Sequence, residues 1–243
     1  MITKTNENPV SSTSGRGDGK PIRLHQDLAK GPEPRLRDET TALREKLYKR
    51  VVRAPERIED LVAGLDHELP VVKYGCSAVL RMLSDRKPEL LADRWAFFTK
   101  QLHHEQPFRR WDAIEIVGNL AGAVDKRRVD TVLSKQLEPI AGPDLVAAVN
   151  WIASAARAAE RQPKATPKAV DGLLLVGRAK FDDADQKNVA IGHAITALAS
   201  IYHQLDDASR VLRFVRRHRE NPRRDVQLKA EKFLELHAAR RAR

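Results

Sequence analysis

The chain has 243 residues, of which 42% are apolar, 32% charged and only 5% aromatic, a mix that suits helices rich in Ala and Leu better than a β-sandwich. A lone cysteine, Cys76, excludes an intramolecular disulfide framework and a Cys-based zinc site, and no apolar stretch nears the roughly 20 residues that cross a bilayer. The net charge of +11 is uneven: residues 208–243 hold 12 Lys/Arg against 4 Asp/Glu, while residues 36–207 hold 26 against 25.

In chain order, residues 1–34 are rich in Ser, Thr, Gly, Pro and Asn with almost no apolar spacing, which predicts a disordered leader. It has no hydrophobic signal region, and with the single cysteine this points to a reducing, cytoplasmic location. The stretch GRGDGKP at 15–21 fails as a phosphate loop: Ser14 stands where a Gly is needed, Pro21 follows Lys20, and no strand precedes it. Residues 35–54 carry Leu43, Leu47 and Val51 at four-residue spacing and predict a capping helix.

From residue 55 to 243 the pattern is helical throughout, punctuated by Pro55, Pro70, Pro88, Pro107, Pro143, Pro167 and Pro222. Several of these stand where a first helical turn would start, behind capping-type residues, as in Gly142-Pro143, Thr166-Pro167 and Asn221-Pro222. Only LLLV at 173–176 tempts a strand assignment, and it lies inside a proline-initiated helical pattern.

The punctuation hides a repeat. VVKYGCSAVLRML (71–83) laid over FRRWDAIEIVGNL (108–120) places Cys76 on Ala113, Val79 on Ile116, Leu80 on Val117 and Leu83 on Leu120. A further shift puts Ala113, Val117 and Leu120 on Ala194, Leu198 and Ile201, and the next puts Ala194 on Ala230 and Leu198 on Leu234. LVAAVNWIASAARAA (145–159) fits between them. These are expected to be the second helices of hairpins whose first helices lie near 56–66, 88–103, 125–139, 167–180 and 207–219.

The units resemble the HEAT-repeat family: a proline or acidic turn, an apolar residue, a basic residue, small residues and Leu. Val72-Lys73, Cys76 and Leu80 carry the pattern in the first unit, Arg110, Ala113 and Val117 in the second, and Val189, Ala194 and Leu198 in the fourth. The third unit lacks the basic residue, and Ile191 replaces it in the fourth. The resemblance implies an all-α, right-handed α-solenoid of about five hairpins, whose carboxy-terminal end the charge count makes basic.

On a helix, Asp112, Glu115 and Asn119 share a narrow arc opposite the repeating apolar stripe, with Trp111 at its border. The matching positions are Gly75/Ala78/Met82, Asn150/Ala153/Arg157, His193/Thr196/Ser200 and Lys229/Lys232/Leu236. In stacked hairpins such a stripe lines a concave groove. Trp111, Asp112, Glu115, Asn119, Asn150, Arg157, His193, Thr196, Ser200, Lys229 and Lys232 are therefore the candidate partner-binding residues. Arg213, Arg216, Arg217, Arg223 and Arg224 form a basic end suited to an acidic partner or nucleic acid.

The chain is also similar in length, repeat class and charge to the HEAT-like alkylpurine DNA glycosylases. That similarity implies an Asp with flanking tryptophans stabilising a cationic sugar. Only Trp111 and one of Asp112 or Glu115 would correspond, and Trp151 is expected to point toward the core. The sequence has no HExxH, and His103-His104-Glu105 lacks helical ligand spacing, so no metal, cofactor or catalytic residue is assigned. The expected function is a non-catalytic scaffold or adaptor holding a protein or nucleic-acid partner, with no membrane association. A DNA-binding or DNA-repair protein of the glycosylase type is the alternative.

Overall fold

The structure, a computed structural model, describes residues 23–29 and 37–238. All regular structure among these residues is helical. A leading pair, α1 (Arg23–Ala29) and α2 (Arg37–Arg53), precedes five hairpins. These are α3 (Ile58–Gly64) with α4 (Pro70–Arg86), then α5 (Trp95–Gln101) with α6 (Pro107–Leu120). After them come α7 (Lys126–Gln136) with α8 (Leu145–Arg161), α9 (Thr166–Leu174) with α10 (Ala184–Ile201), and α11 (Ser209–Arg217) with α12 (Arg224–Ala238).

The helix starts follow from the local chemistry. Pro70 and Pro107 open α4 and α6, where a missing N–H costs nothing. Asp125, Asp144 and Asp183 cap α7, α8 and α10 by accepting from backbone N–H groups of the first turn. Pro143 stands one residue ahead of the Asp144 cap rather than inside α8. LLLV at 173–176 is helical, shared between the end of α9 and the 3-10 turn that follows.

The even-numbered helices pack in succession, α2 on α4, α4 on α6, and so on to α12, while the odd-numbered helices meet their successors far more sparsely. The crowded row lies on the inside of the curve. Arg161 on α8 makes this concrete: its Nη2 donates to Asp85 Oδ1 of α4 at 2.7 Å, reaching past α6. Between the rows runs one continuous core, in which Cys76, Leu80, Ala113, Val117, Trp151, Ala194, Leu198 and Ala230 are all buried, as the repeat alignment predicts. Burial, then the charge of Asp60, pushes the Cys76 thiol up to about 12, so it behaves as a small apolar core residue.

One expectation is corrected here. The segment expected to be a disordered leader, 1–34, contains α1, and Leu24 (0% exposed) and Leu28 are buried within the core. Leu28 covers Gly75, where an added Cβ would come within 2.3 Å of its Cδ2. His25 bonds the Asp60 carbonyl at 2.6 Å, and Asp27 pairs with Arg50 of α2. The amino-terminal cap is thus a helical pair, which shields the end of the stack better than one helix would. The rest of that segment, residues 35–36 of the expected capping helix and residues 239–243 lie outside the described residues.

Candidate functional site: the face of the even-numbered helices

The stripe containing Asp112, Glu115 and Asn119 does not simply look into solvent. It is zipped to α4 by three rungs. Ser77 Oγ donates to Asp112; Arg81 Nη1 donates to Glu115 Oε2 at 3.1 Å; Asn119 Nδ2 donates to Ser84 Oγ at 2.8 Å. Arg157 on α8 closes the network from the other side, donating to Asn119 Oδ1 at 2.9 Å and standing 3.8 Å from Glu115. Asn119 is 0% exposed, which corrects its place on a solvent-facing stripe. Gly75 and Ala78 on the same stripe are buried as well.

The reason is helix spacing. Ser77, Arg81 and Ser84 follow 4- and 3-residue steps on α4 and so share one edge of that helix; Asp112, Glu115 and Asn119 follow 3- and 4-residue steps on α6. Two such edges meet when neighbouring hairpins stack. Burial raises the Asp112 carboxyl above its ordinary value; the Ser77 hydrogen bond and Arg81 pull it down, and Glu115 adds to the rise. Asp112 faces Ser77 with one oxygen and Arg81, 3.4 Å away, with the other, so it is held as a structural tie. Trp111 is half-buried against the core, with its Nε1 enclosed and lacking a hydrogen-bond partner among the described residues.

The other candidates divide. Arg157 joins the network above. Asn150 is half-buried and donates to the Val146 carbonyl of its own helix at 2.8 Å. His193, Thr196 and Ser200 are exposed along α10; Thr196 and Ser200 bond back to their own helix. Partial burial and then Lys229 hold the His193 imidazole below its ordinary range. Lys229 stands 3.6 Å from Asp225, and Lys232 is exposed.

At the basic end, Arg223 is committed to Asp185 (2.6 Å) and Asp225 (3.1 Å), and Arg224 to Gln227 and Glu231. Arg213, Arg216 and Arg217 of α11, with Arg219 just beyond, are exposed, with no ion-pair partner among the described residues. These four lie on the odd-numbered row, outside the curve.

Two features escaped the sequence reading. The first is a cavity of about 420 Å³ lined from four successive helices of the inner row, by Arg44 and Glu45 of α2, Arg81 and Asp85 of α4, Glu115 of α6 and Arg157 of α8, among others. The Ser77/Arg81/Ser84 spacing along the apolar middle of α4 was the available signal; Arg44 offered none. The second is a set of exposed large apolar side chains, Leu69, Val71, Tyr74, Val146, Leu228 and Leu236. Each belongs to an even-numbered helix or its cap. Tyr74, half exposed, meets Phe108 of α6 edge-on with ring centroids 4.9 Å apart.

Among the described residues no group of three His, Cys, Asp or Glu stands close enough to hold a metal ion, and no helix is long and apolar enough to cross a membrane. No protein-family model matches the chain, and the curated proteins searched include no match. Among solved structures it is similar to the designed armadillo repeat protein YIII(Dq)4CqI, at 16% identity and a TM-score of 0.50, over 88% of this chain and 98% of that one. At that identity the likeness speaks to the fold alone, and with the helix order above the chain is an all-α helical-repeat solenoid.

Proposed function

We propose that this chain is a non-catalytic binding scaffold that holds a protein partner along its inner row of helices. One observation carries the reading: all six exposed large apolar side chains among the described residues lie on that row, and none lies on the outer one. A monomer exposes single apolar residues anywhere, but a bias to one row of helices marks a contact surface. The two-helix unit is one that a HEAT-like repeat uses, and the buried free thiol of Cys76 suits a reducing cytoplasm. Selection of peptides from a displayed library on the full chain tests this. Bound peptides should lose about tenfold or more in affinity on Tyr74→Ala, an aromatic anchor position. Peptides indifferent to Tyr74→Ala and to Val146→Ala would refute it.

The second reading, nucleic-acid binding, rests on the four α11-side arginines that have no ion-pair partner among the described residues. The last three of the five outer segments, 126–141, 163–180 and 209–220, together hold 13 Lys/Arg against 4 Asp/Glu, whereas the first two, 55–66 and 88–103, hold 3 against 6. It predicts duplex-DNA affinity that falls with salt, at a log–log slope of about −0.9 per phosphate contact, and that is lost on reversing Arg213, Arg216 and Arg217 to Glu. The glycosylase variant of this reading is disfavoured by the tie that holds Asp112 between Ser77 and Arg81.

A further inference from the structure

Among the described residues, the cavity between α2, α4, α6 and α8 has an ionic count that does not close. Four guanidiniums line it, those of Arg44, Arg81, Arg86 and Arg157, against three carboxylates, Glu45, Asp85 and Glu115. Each carboxylate is already engaged. Glu45 accepts from Arg86 at 2.8 Å, Asp85 from Arg161 at 2.7 Å, and Glu115 is shared by Arg81 at 3.1 Å and Arg157 at 3.8 Å. Widening the count to Arg161 and Asp112 leaves the same excess of one positive charge.

Arg44 is the group left over. It has no carboxylate partner among the described residues, and its Nε is enclosed without a hydrogen-bond acceptor. Burial, then the like charge of Arg81, lowers its guanidinium below the usual range, so two cations share one space while only Arg81 has carboxylate partners among the described residues. Glu115 and Asn119 hold the Arg157 fork, and Glu115 and Asp112 hold that of Arg81, so both are positioned before any ligand arrives.

We infer that this cavity is a socket for a single carboxylate, received by Arg44 and flanked by Arg81 and Arg157. The guanidinium fork donates to a carboxylate through two parallel N–H···O bonds. The charge count selects among oxyanions: a monoanion neutralises the excess of one, whereas a phosphate dianion would overshoot it beside Glu115. A volume of about 420 Å³ admits the group together with its side chain. The socket deepens the reading of the inner row as the partner surface and rests on it, because the carboxylate would belong to a bound polypeptide, as an Asp or Glu side chain or as a free chain end.

The test uses the full chain and small probes, so it reports on the socket even if no partner peptide binds. Arginine Nε–Hε resonances are followed in two-dimensional NMR at constant ionic strength. The titrants are N-acetyl-glutamate amide, whose one carboxylate is on the side chain, N-acetyl-alanine, whose one carboxylate is the chain end, dianionic inorganic phosphate, and chloride. The expected result is a saturable millimolar shift of the Arg44 signal with one or both carboxylates, and the tighter of the two identifies the source. Chloride should give none, and phosphate should bind about tenfold more weakly or worse. Arg44→Gln should weaken carboxylate binding by about tenfold or more, the loss of a charged hydrogen-bonding partner. Arg44→Lys, which keeps the charge but not the fork, should fall between the two, with an unchanged helical spectrum in both variants. Absence of saturable shifts with either carboxylate, tighter binding of phosphate, or carboxylate binding indifferent to Arg44→Gln would each overturn the proposal.

Discussion

Asn119→Ala probes the joint between three successive hairpins. The wild-type side chain is 0% exposed and makes two bonds, donating to Ser84 Oγ at 2.8 Å and accepting from Arg157 Nη1 at 2.9 Å. The first is neutral and contributes about 1 kcal/mol; the second is charged, nominally about 1.5–3 kcal/mol. The Arg157 side chain is 37% exposed and can turn to water or Glu115 when Asn119 is gone, so its share shrinks toward about 1 kcal/mol. Ser84 still donates to the Arg81 carbonyl at 2.7 Å, so no buried hydroxyl proton is stranded. With a small cavity added, the expected loss is about 2–3 kcal/mol. Urea unfolding of the full chain measures it as a lowered midpoint at unchanged slope. A cycle with Arg157→Ala should return a coupling of about 1 kcal/mol. A loss under about 0.5 kcal/mol, additive with Arg157→Ala, would show that the ladder does not bind the hairpins together.

Leu28→Ala should cost about 2–5 kcal/mol in the same assay, because Leu28 fills the hollow over Gly75; a neutral result would mean that α1 does not cap the stack. Gly118→Ala sets helix propensity, about 1 kcal/mol in favour of Ala, against an added Cβ at 2.9 Å from the Ser154 carbonyl oxygen and 3.0 Å from its Cα. Backbone cannot yield as a side chain does, so overpacking of about 1–3 kcal/mol should win, and a stabilised variant would contradict the close α6–α8 approach. His218 is held below its ordinary value of 6.5 by burial, then by Arg217 and Lys187. The unfolded chain therefore binds the proton more readily, so stability is full above the unfolded pKa and is lost as pH falls through it toward the folded one. His218→Gln should flatten the fall in thermal midpoint between about pH 7 and pH 5; an unchanged slope would refute the assignment.

The candidate site was legible only in part. Asp112, Glu115 and Asn119 were identifiable as one polar edge because helix geometry makes spacing visible within a single segment. Their partners were not, because Ser77, Arg81 and Ser84 lie on a different helix, and which edges meet depends on how far one hairpin is rotated against the next. The same edge was therefore read as facing a ligand when its first duty is to join neighbours. Arg44 sits on the capping helix in a pattern like any solvated face, and nothing local marks it as a cavity-lining guanidinium without a carboxylate partner among the described residues.

What the residues determined by themselves is the hairpin series. Prolines at helix starts, Asp caps and an apolar stripe at 3- and 4-residue steps are all short-range, and each acts within its own segment; Cys76, Ala113, Ala194 and Ala230 fall in the core where the alignment places them. The short helix α1 needed tertiary structure, since a seven-residue helix with Leu24 and Leu28 cannot hold itself in water and exists by docking on α3 and α4. The stacking of the even-numbered helices into the inner row, the burial of Asn119 and the meeting of Arg44 with Arg157 were decided there too. Each depends on contacts between segments far apart in the chain, whose energy is set by the approach of whole helices and appears in no local pattern.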